Sequence, residues 1–202
     1  MNTGSLTGDT AAHGGLNAVA HELILGGVKS GKSRTAEARA AAWLGRGAPY
    51  RATLLATALA GDGEMAERIT RHRADRAARV PALETVEVAQ GLGRTLHRLA
   101  HPARLLVVDC LSLWLTQCLL PPPGAAAAHW PEEREALLAA LQDSASPVVL
   151  VSSEIGLGVL PLGAEARRCI DALGLLHQAV AERCRRVTLM VAGCALTVKE
   201  LS

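Results

Sequence analysis

An α/β fold, a mainly parallel sheet with helices on both faces, is what the sequence predicts, on three observations. Short solid apolar runs such as Leu105-Leu106-Val107-Val108 and Val148-Val149-Leu150-Val151 lack in–out alternation, so they read as strands buried on both faces. Ala-rich amphipathic stretches of helical length lie between such runs. A glycine-rich turn, Gly26 to Ser33, joins the first strand candidate to the first helix candidate, the connection of a βα unit.

In chain order, Glu22–Leu25 is the first strand, followed by the turn and a helix over Lys32–Leu44 that Gly45-Arg46-Gly47-Ala48-Pro49 breaks. Ala52–Ala56 is a second strand ending in Thr57-Ala58. Asp62 is placed to cap a helix from Gly63 to about Arg73, supported by Glu64/Arg68 and Glu67/Arg71 at i,i+4. Residues 74–81 read as loop, Thr85–Val88 as a short strand and Gly91–Leu99 as helix. Arg104–Asp109 is the clearest buried strand, with an apolar segment after it to Leu120. Pro121-Pro122-Pro123-Gly124 stops the chain, an Ala run comes next, and Pro131 opens another helix at its first position. Pro147–Ser152 is a strand, Ser153–Gly158 a loop, and Ala164–Arg185 a long helix. Val187–Ala192 and Ala195–Val198 close the chain as strands.

The 202 residues suit one domain with one core. Half are apolar, yet there is no Phe, one Tyr and three Trp, so the core must be Leu, Val, Ile and Ala. A net charge of +2 is too small to argue for nucleic acid or a membrane surface. The five cysteines form no C-x-x-C pair and no zinc spacing, which fits a reducing, cytoplasmic setting. No run is long and apolar enough to span a bilayer. Residues 1–20 lack a basic start and an apolar segment, so they are expected to be a disordered extension, leaving 21–202 as a single domain.

Gly26-Gly27-Val28-Lys29-Ser30-Gly31-Lys32-Ser33 matches G-x-x-x-x-G-K-[ST]. In such a loop glycines let backbone N–H groups converge on phosphate oxygens while the helix after it directs its positive end at the same anion. Lys32 would reach the β/γ-phosphates and the Ser33 hydroxyl would hold Mg²⁺. A glycine-rich turn that merely matches is the alternative, and the strand before and helix after speak for the phosphate loop. Asp109, ending its apolar run, is placed to bind Mg²⁺ or simply to cap the next segment. Met65, Ile69 and His72 share a helical stripe flanked by Arg68, Arg71, Arg73 and Arg76. His72 is therefore either a structural histidine at the core edge or a neutral imidazole among guanidinium groups suited to phosphates. Glu154, at another strand end, is either an outer group of the metal site or a loop cap.

Together these segments resemble the bifunctional adenosylcobinamide kinase / adenosylcobinamide-phosphate guanylyltransferase family. The resemblance runs from about Leu23 to Lys199. It is carried by the loop at 26–33, Ala56-Thr57-Ala58, Glu64-Met65-Ala66-Glu67-Arg68-Ile69, His72-Arg73-x-x-Arg76 and Thr85-Val86-Glu87. Val108-Asp109-Cys110-Leu111-Ser112-Leu113-Trp114-Leu115, Ser153-Glu154-Ile155-Gly156-Leu157-Gly158 and Ala192-Gly193 complete it. It implies a P-loop NTPase fold of three layers, recombinase-like, and a small homo-oligomer. It also implies two reactions: ATP or GTP phosphorylates the aminopropanol hydroxyl of adenosylcobinamide, then GTP donates GMP to that phosphate through a GMP–histidine intermediate. His72 matches the histidine. Residues 26–33, Ala56, Thr57, Ala58, Arg73, Ala74, Asp75, Arg76, Glu87 and Asp109 match nucleotide contacts, with Glu84 the alternative to Glu87. Ser33 and Asp109 match the metal ligands. The chain departs from the family pattern at Lys29, Ala77, Ser153, Cys169-Ile170 and His177. Two rivals remain: a generic small-molecule kinase needing neither His72 nor guanine, and a regulatory nucleotide-binding ATPase module.

Overall fold

The computed structural model describes residues 20–58, 63–122, 124, 128–159 and 161–201, without the side chains of 64–66, 68, 69 and 72. The expected extension up to residue 19, the Asp62 cap, and residues 123 and 125–127 of the Pro and Ala runs lie outside the described residues. The chain runs β1 (Glu22–Gly26), α1 (Lys32–Leu44), β2 (Arg51–Ala56), α2 (Gly63–Arg79), β3 (Glu84–Glu87), α3 (Leu92–Leu99) and β4 (Arg104–Asp109). It continues α4 (Leu111–Leu119), α5 (Trp130–Gln142), β5 (Val148–Val151), α6 (Ala164–Arg183), β6 (Arg186–Val191) and β7 (Cys194–Glu200). One seven-stranded sheet results, in the order β3-β2-β4-β5-β1-β6-β7. All neighbours are parallel except β6 and β7, which form an antiparallel hairpin.

Strand side chains alternate between two cores, as a period of two demands when both faces are covered. Leu23, Leu55, Leu106, Val108, Val148 and Leu150 join the core under α3, α4, α5 and α6. Ile24, Leu54, Leu105, Val107, Val149 and Val151 join the opposite core with Ala36 and Ala40 of α1. With no phenylalanine to use, the first core is filled by leucines around Trp114, wholly buried and edge-on to Trp130 at 5.4 Å. Gly93 lets α3 approach α5, since a Cβ there would stand 2.3 Å from the Ala136 carbonyl. Four cysteines are buried and Cys194 is exposed. Burial pushes the thiols of Cys118 and Cys184 up to about 12.

The elements match expectation to within about two residues at each end, with two larger differences. The helix expected to end near Arg73 runs to Arg79, because Ala74 to Arg79 are mostly good helix formers and Arg79 Nε donates to Glu37 on α1 at 2.7 Å. Pro81 is the effective stop. The apolar segment after Asp109 is a helix, α4, whose Leu111, Trp114, Leu115 and Cys118 face the core at helical spacing.

His21 is a structural clamp that pattern gives no reason to expect. It lies just before β1, with Nε2 2.9 Å from Leu141 O and Nδ1 3.1 Å from Val148 N. The carbonyl can only accept and the amide only donate, so Nε2 carries the proton and Nδ1 accepts. Burial lowers the imidazole's affinity for protons below the usual 6.5. The unfolded chain therefore protonates first, and the contribution is complete above pH 6.5 and lost as pH falls below it. The melting temperature should drop on acidification through that range. His21→Gln, which offers a donor and an acceptor without titrating, should flatten that slope in a series of thermal melts.

Candidate active site

The phosphate-loop candidate lies between β1 and α1 at the carboxyl edge of the sheet, where open parallel sheets place ligands. Gly26 has φ +150°, and a Cβ there would meet Met190 O at 2.5 Å and Ser30 Oγ at 2.7 Å, so no larger residue fits. Lys29 and Gly31 also take positive φ, 56° and 101°, as the chain curls. Gly31 caps α1 without a side chain, and no acidic residue occupies the first turn. The helix start is thus left for an external anion. Lys32 is buried, its ammonium donating to Gly27 O at 2.6 Å. Ser33, second in α1, is half-buried.

Two neighbours hold the loop. Glu154 N–H donates to Gly26 O at 3.0 Å, and Gly193 N–H, at the tip of the β6–β7 hairpin, donates to Ser30 O at 3.1 Å. Ala192 and Gly193 both have positive φ, the requirement of a tight two-residue hairpin turn.

Asp109 ends β4, in register with Ala56 of β2 and Val151 of β5. Burial and then Asp109 push the Cys110 thiol up while Lys32 pulls it down, so both charges act on this point. Arg76 is half-buried: desolvation lowers its affinity for protons, and Glu37 and Asp109 offset this. Ser33 and Asp109 offer hard oxygen donors, and among the described residues no cluster of three or more His, Cys, Asp or Glu could cage a metal. That set fits Mg²⁺, which takes one or two protein oxygens and completes its shell with phosphate and water.

Thr57 lies differently from the expected nucleotide contact. It is 0% exposed, and its hydroxyl donates to Cys110 O at 2.7 Å and accepts from Cys110 N–H at 2.8 Å. Its own N–H donates to Asp109 O at 3.1 Å and its carbonyl accepts from Gln117 at 2.7 Å. The hydroxyl and N–H of Thr57 lock the end of β4 and its carbonyl ties to α4, so it positions Asp109 and presents no surface to a ligand. Ala56 and Ala58 beside it are half-buried.

Arg73, Arg76 and Ala77 on one face of α2, and Val80 just past its end, border with Thr85 and Glu87 of β3 a hollow of about 310 Å³. Arg73 pairs with Glu87. Glu87 rather than Glu84 borders it; Glu84 accepts from Thr53 Oγ1 at 3.2 Å. Ala74 and Asp75 are exposed and do not line the hollow. The His72 side chain lies outside the described residues; its backbone stands one helical turn before Arg76 in α2.

Glu154 does cap its loop, accepting from Gly156 N–H at 2.7 Å. Pattern reading misses its partner His177, whose Nδ1 is 3.6 Å from Glu154 Oε2. The available signal is position: Leu173, Leu176, His177 and Val180 form one buried stripe of α6.

A curled glycine loop opening onto a helix start, with a buried lysine and a strand-end aspartate, defines a nucleotide-binding α/β protein of the P-loop type. Solved structures agree on the fold: flagellar accessory protein FlaH of Methanocaldococcus jannaschii superposes with TM-score 0.51 at 13% identity, covering 93% of this chain and 81% of its own. A second solved structure, an ATPase domain, gives 0.52 at 13% identity, covering 91% of this chain and 78% of its own. The sequence profile of cobinamide kinase / cobinamide phosphate guanyltransferase matches residues 22–198. The bifunctional adenosylcobalamin biosynthesis protein CobP of Pseudomonas aeruginosa is 49% identical over 178 residues, 88% of this chain and 96% of the relative. The bifunctional protein CobU of Escherichia coli is 32% identical over 187 residues, 88% and 98% of the two chains. The chain belongs to the cobinamide kinase / cobinamide phosphate guanyltransferase family.

Thr57→Val, which keeps the shape and removes both hydroxyl bonds, should cost about 1–3 kcal/mol by leaving buried backbone groups unpaired. Urea midpoints measure it, and Thr57→Ser should recover most of the loss.

Proposed function

We propose that this enzyme phosphorylates the aminopropanol hydroxyl of adenosylcobinamide with ATP or GTP. It then moves GMP from GTP through His72 onto that phosphate, yielding adenosylcobinamide-GDP. The reading is carried by one juxtaposition: the curled loop with buried Lys32 lies at the same sheet edge as Asp109, whose charge, after that of Glu37, acts on Arg76 of the His72-bearing helix. Family membership over residues 22–198 supplies the reaction pair.

The chain's residues divide the work. Residues 26–31 and Lys32 hold the β- and γ-phosphates by main-chain amides and one ammonium. Arg73, Arg76 and Glu87 border the hollow that receives the guanine nucleotide, where a carboxylate can accept from the guanine N–H edge. Ser33 and Asp109 are the oxygens that would hold Mg²⁺, whose charge offsets that growing on the leaving group. In the second reaction a neutral His72 nitrogen attacks the α-phosphorus and the bond to the β-phosphate oxygen breaks, releasing pyrophosphate. The cobinamide phosphate oxygen then attacks the same phosphorus and frees the imidazole, so one hard displacement becomes two easier ones.

Two substitutions separate this from a plain kinase or a regulatory ATPase. Wild-type protein incubated with α-labelled GTP and then denatured should retain label, and His72→Ala should retain none. Lys32→Ala should lower both phosphoryl and guanylyl transfer by about 10²-fold or more. Undiminished phosphorylation of adenosylcobinamide by Lys32→Ala, followed by mass spectrometry, would refute the loop assignment.

A further inference from the structure

Past the end of β5 the chain keeps pairing with β1: Ser152 N–H donates to Ile24 O and Glu154 N–H to Gly26 O, each at 3.0 Å. Glu154 is thereby pinned to the first residue of the phosphate loop. That is the γ-phosphate end, because Lys32, which reaches the β/γ-phosphates in such loops, lies over Gly27 O. The Glu154 side chain is 20% exposed, on the wall of a second hollow of about 380 Å³ shared with Gly27, Lys29 and Ser30. Val28 and Leu157, 72% and 82% exposed, make that wall apolar. This hollow lies on the β6 side of β1, whereas the hollow bordered by Arg73 and Glu87 lies at the β3 edge. The two lie on opposite sides of β1 in the sheet order, and only the β6-side hollow is lined by residues of the loop itself. Among the described residues bordering the β6-side hollow, Glu154 is the one carboxylate.

Behind it stands a buried relay. His177 Nε2 is 2.8 Å from Ser152 Oγ, and its Nδ1 faces Glu154 Oε2 at 3.6 Å. A carboxylate only accepts, so the proton belongs on Nδ1 and Nε2 takes the serine hydroxyl. Burial lowers the imidazole's affinity for protons, which favours this neutral form. Serine, histidine and glutamate are also the set of a hydrolase triad, but Ser152 is 0% exposed and cannot meet a substrate. The accessible end of the relay is the carboxylate.

We propose that Glu154 is the general base of phosphoryl transfer, and that His177 is its positioning residue. The assignment rests on the kinase half of the function above. Gly156 N–H meets Oε1 and His177 faces Oε2, and each oxygen keeps a second lone pair, so the carboxylate held from both sides can still take a proton. The acceptor O–H bond breaks toward the carboxylate as its oxygen bonds the γ-phosphorus. The bond from that phosphorus to the bridging oxygen breaks, and nucleoside diphosphate leaves.

Glu154→Gln keeps the Oε1 cap and the shape, with His177 taking its other tautomer to accept from the new amide and donate to Ser152, but cannot take a proton. Phosphorylation of adenosylcobinamide by the full chain should fall about 10²–10⁴-fold in kcat. The nucleotide KM should stay within about threefold, with an unchanged melting temperature to show that the variant folds. His177→Ala should lose about 10- to 100-fold in kcat with the same split. His177→Asn, whose amide can still donate to Glu154, should recover most of that. A Glu154→Gln kcat within about threefold of wild type, or a loss confined to KM, overturns the assignment. If the wild-type chain itself forms no phosphorylated product, the kinase reading falls and takes this one with it.

Discussion

The curl of residues 26–31 is the constraint on which the rest of the site depends. A main chain bent so that its amides converge is costly to hold open, and glycine at 26 and 31 only makes the bend possible. Holding it falls to Lys32 and Ser30 within the loop and to long-range hydrogen bonds from the β5 extension and the β6–β7 hairpin, which grip carbonyls rather than amides. The fold therefore spends a central parallel strand and an edge hairpin on the same six residues. The sheet order, with β1 between β5 and β6, is what brings both supports within reach.

Charge is distributed around that curl by burial as much as by proximity. Lys32 and Arg76 are both withdrawn from water, and Asp109 acts on Arg76 and on Cys110 alongside Lys32. Opposite charges in partly desolvated surroundings interact more strongly than at the surface, so the site is organised before any triphosphate arrives. Thr57 fixes the one element of this layout that secondary structure cannot, the irregular step from β4 into α4.

Much of the fold can be read from the chain because its signals are local. Gly31 and Gly45 bracket α1, and Leu105 to Val108 could hardly be anything but a buried strand. The end of α2 is harder to read, because arginines near a proline look like loop, whereas Arg79 is anchored by Glu37, 42 residues away. Within the site, the phosphate loop, Asp109, Arg73 and Glu87 stand out by motif or resemblance, with Glu84 as the alternative to Glu87, whereas the ion pair between Arg73 and Glu87 does not. Thr57 stands out in the same way, yet its role does not. Its partner Cys110 is 53 residues on, and no spacing rule reveals which way a strand-end hydroxyl turns. His177 is hidden for the same reason, since its partners Ser152 and Glu154 come from a different strand end.

The hairpin that supports the loop also carries the chain's one solvent-exposed thiol. Cys194 comes directly after the amide that grips Ser30, while burial shields the other four cysteines. A maleimide dye would consequently react there first, and its emission would register strain in the anion cradle as nucleotide comes and goes. The native chain needs no engineered label site to be watched in real time.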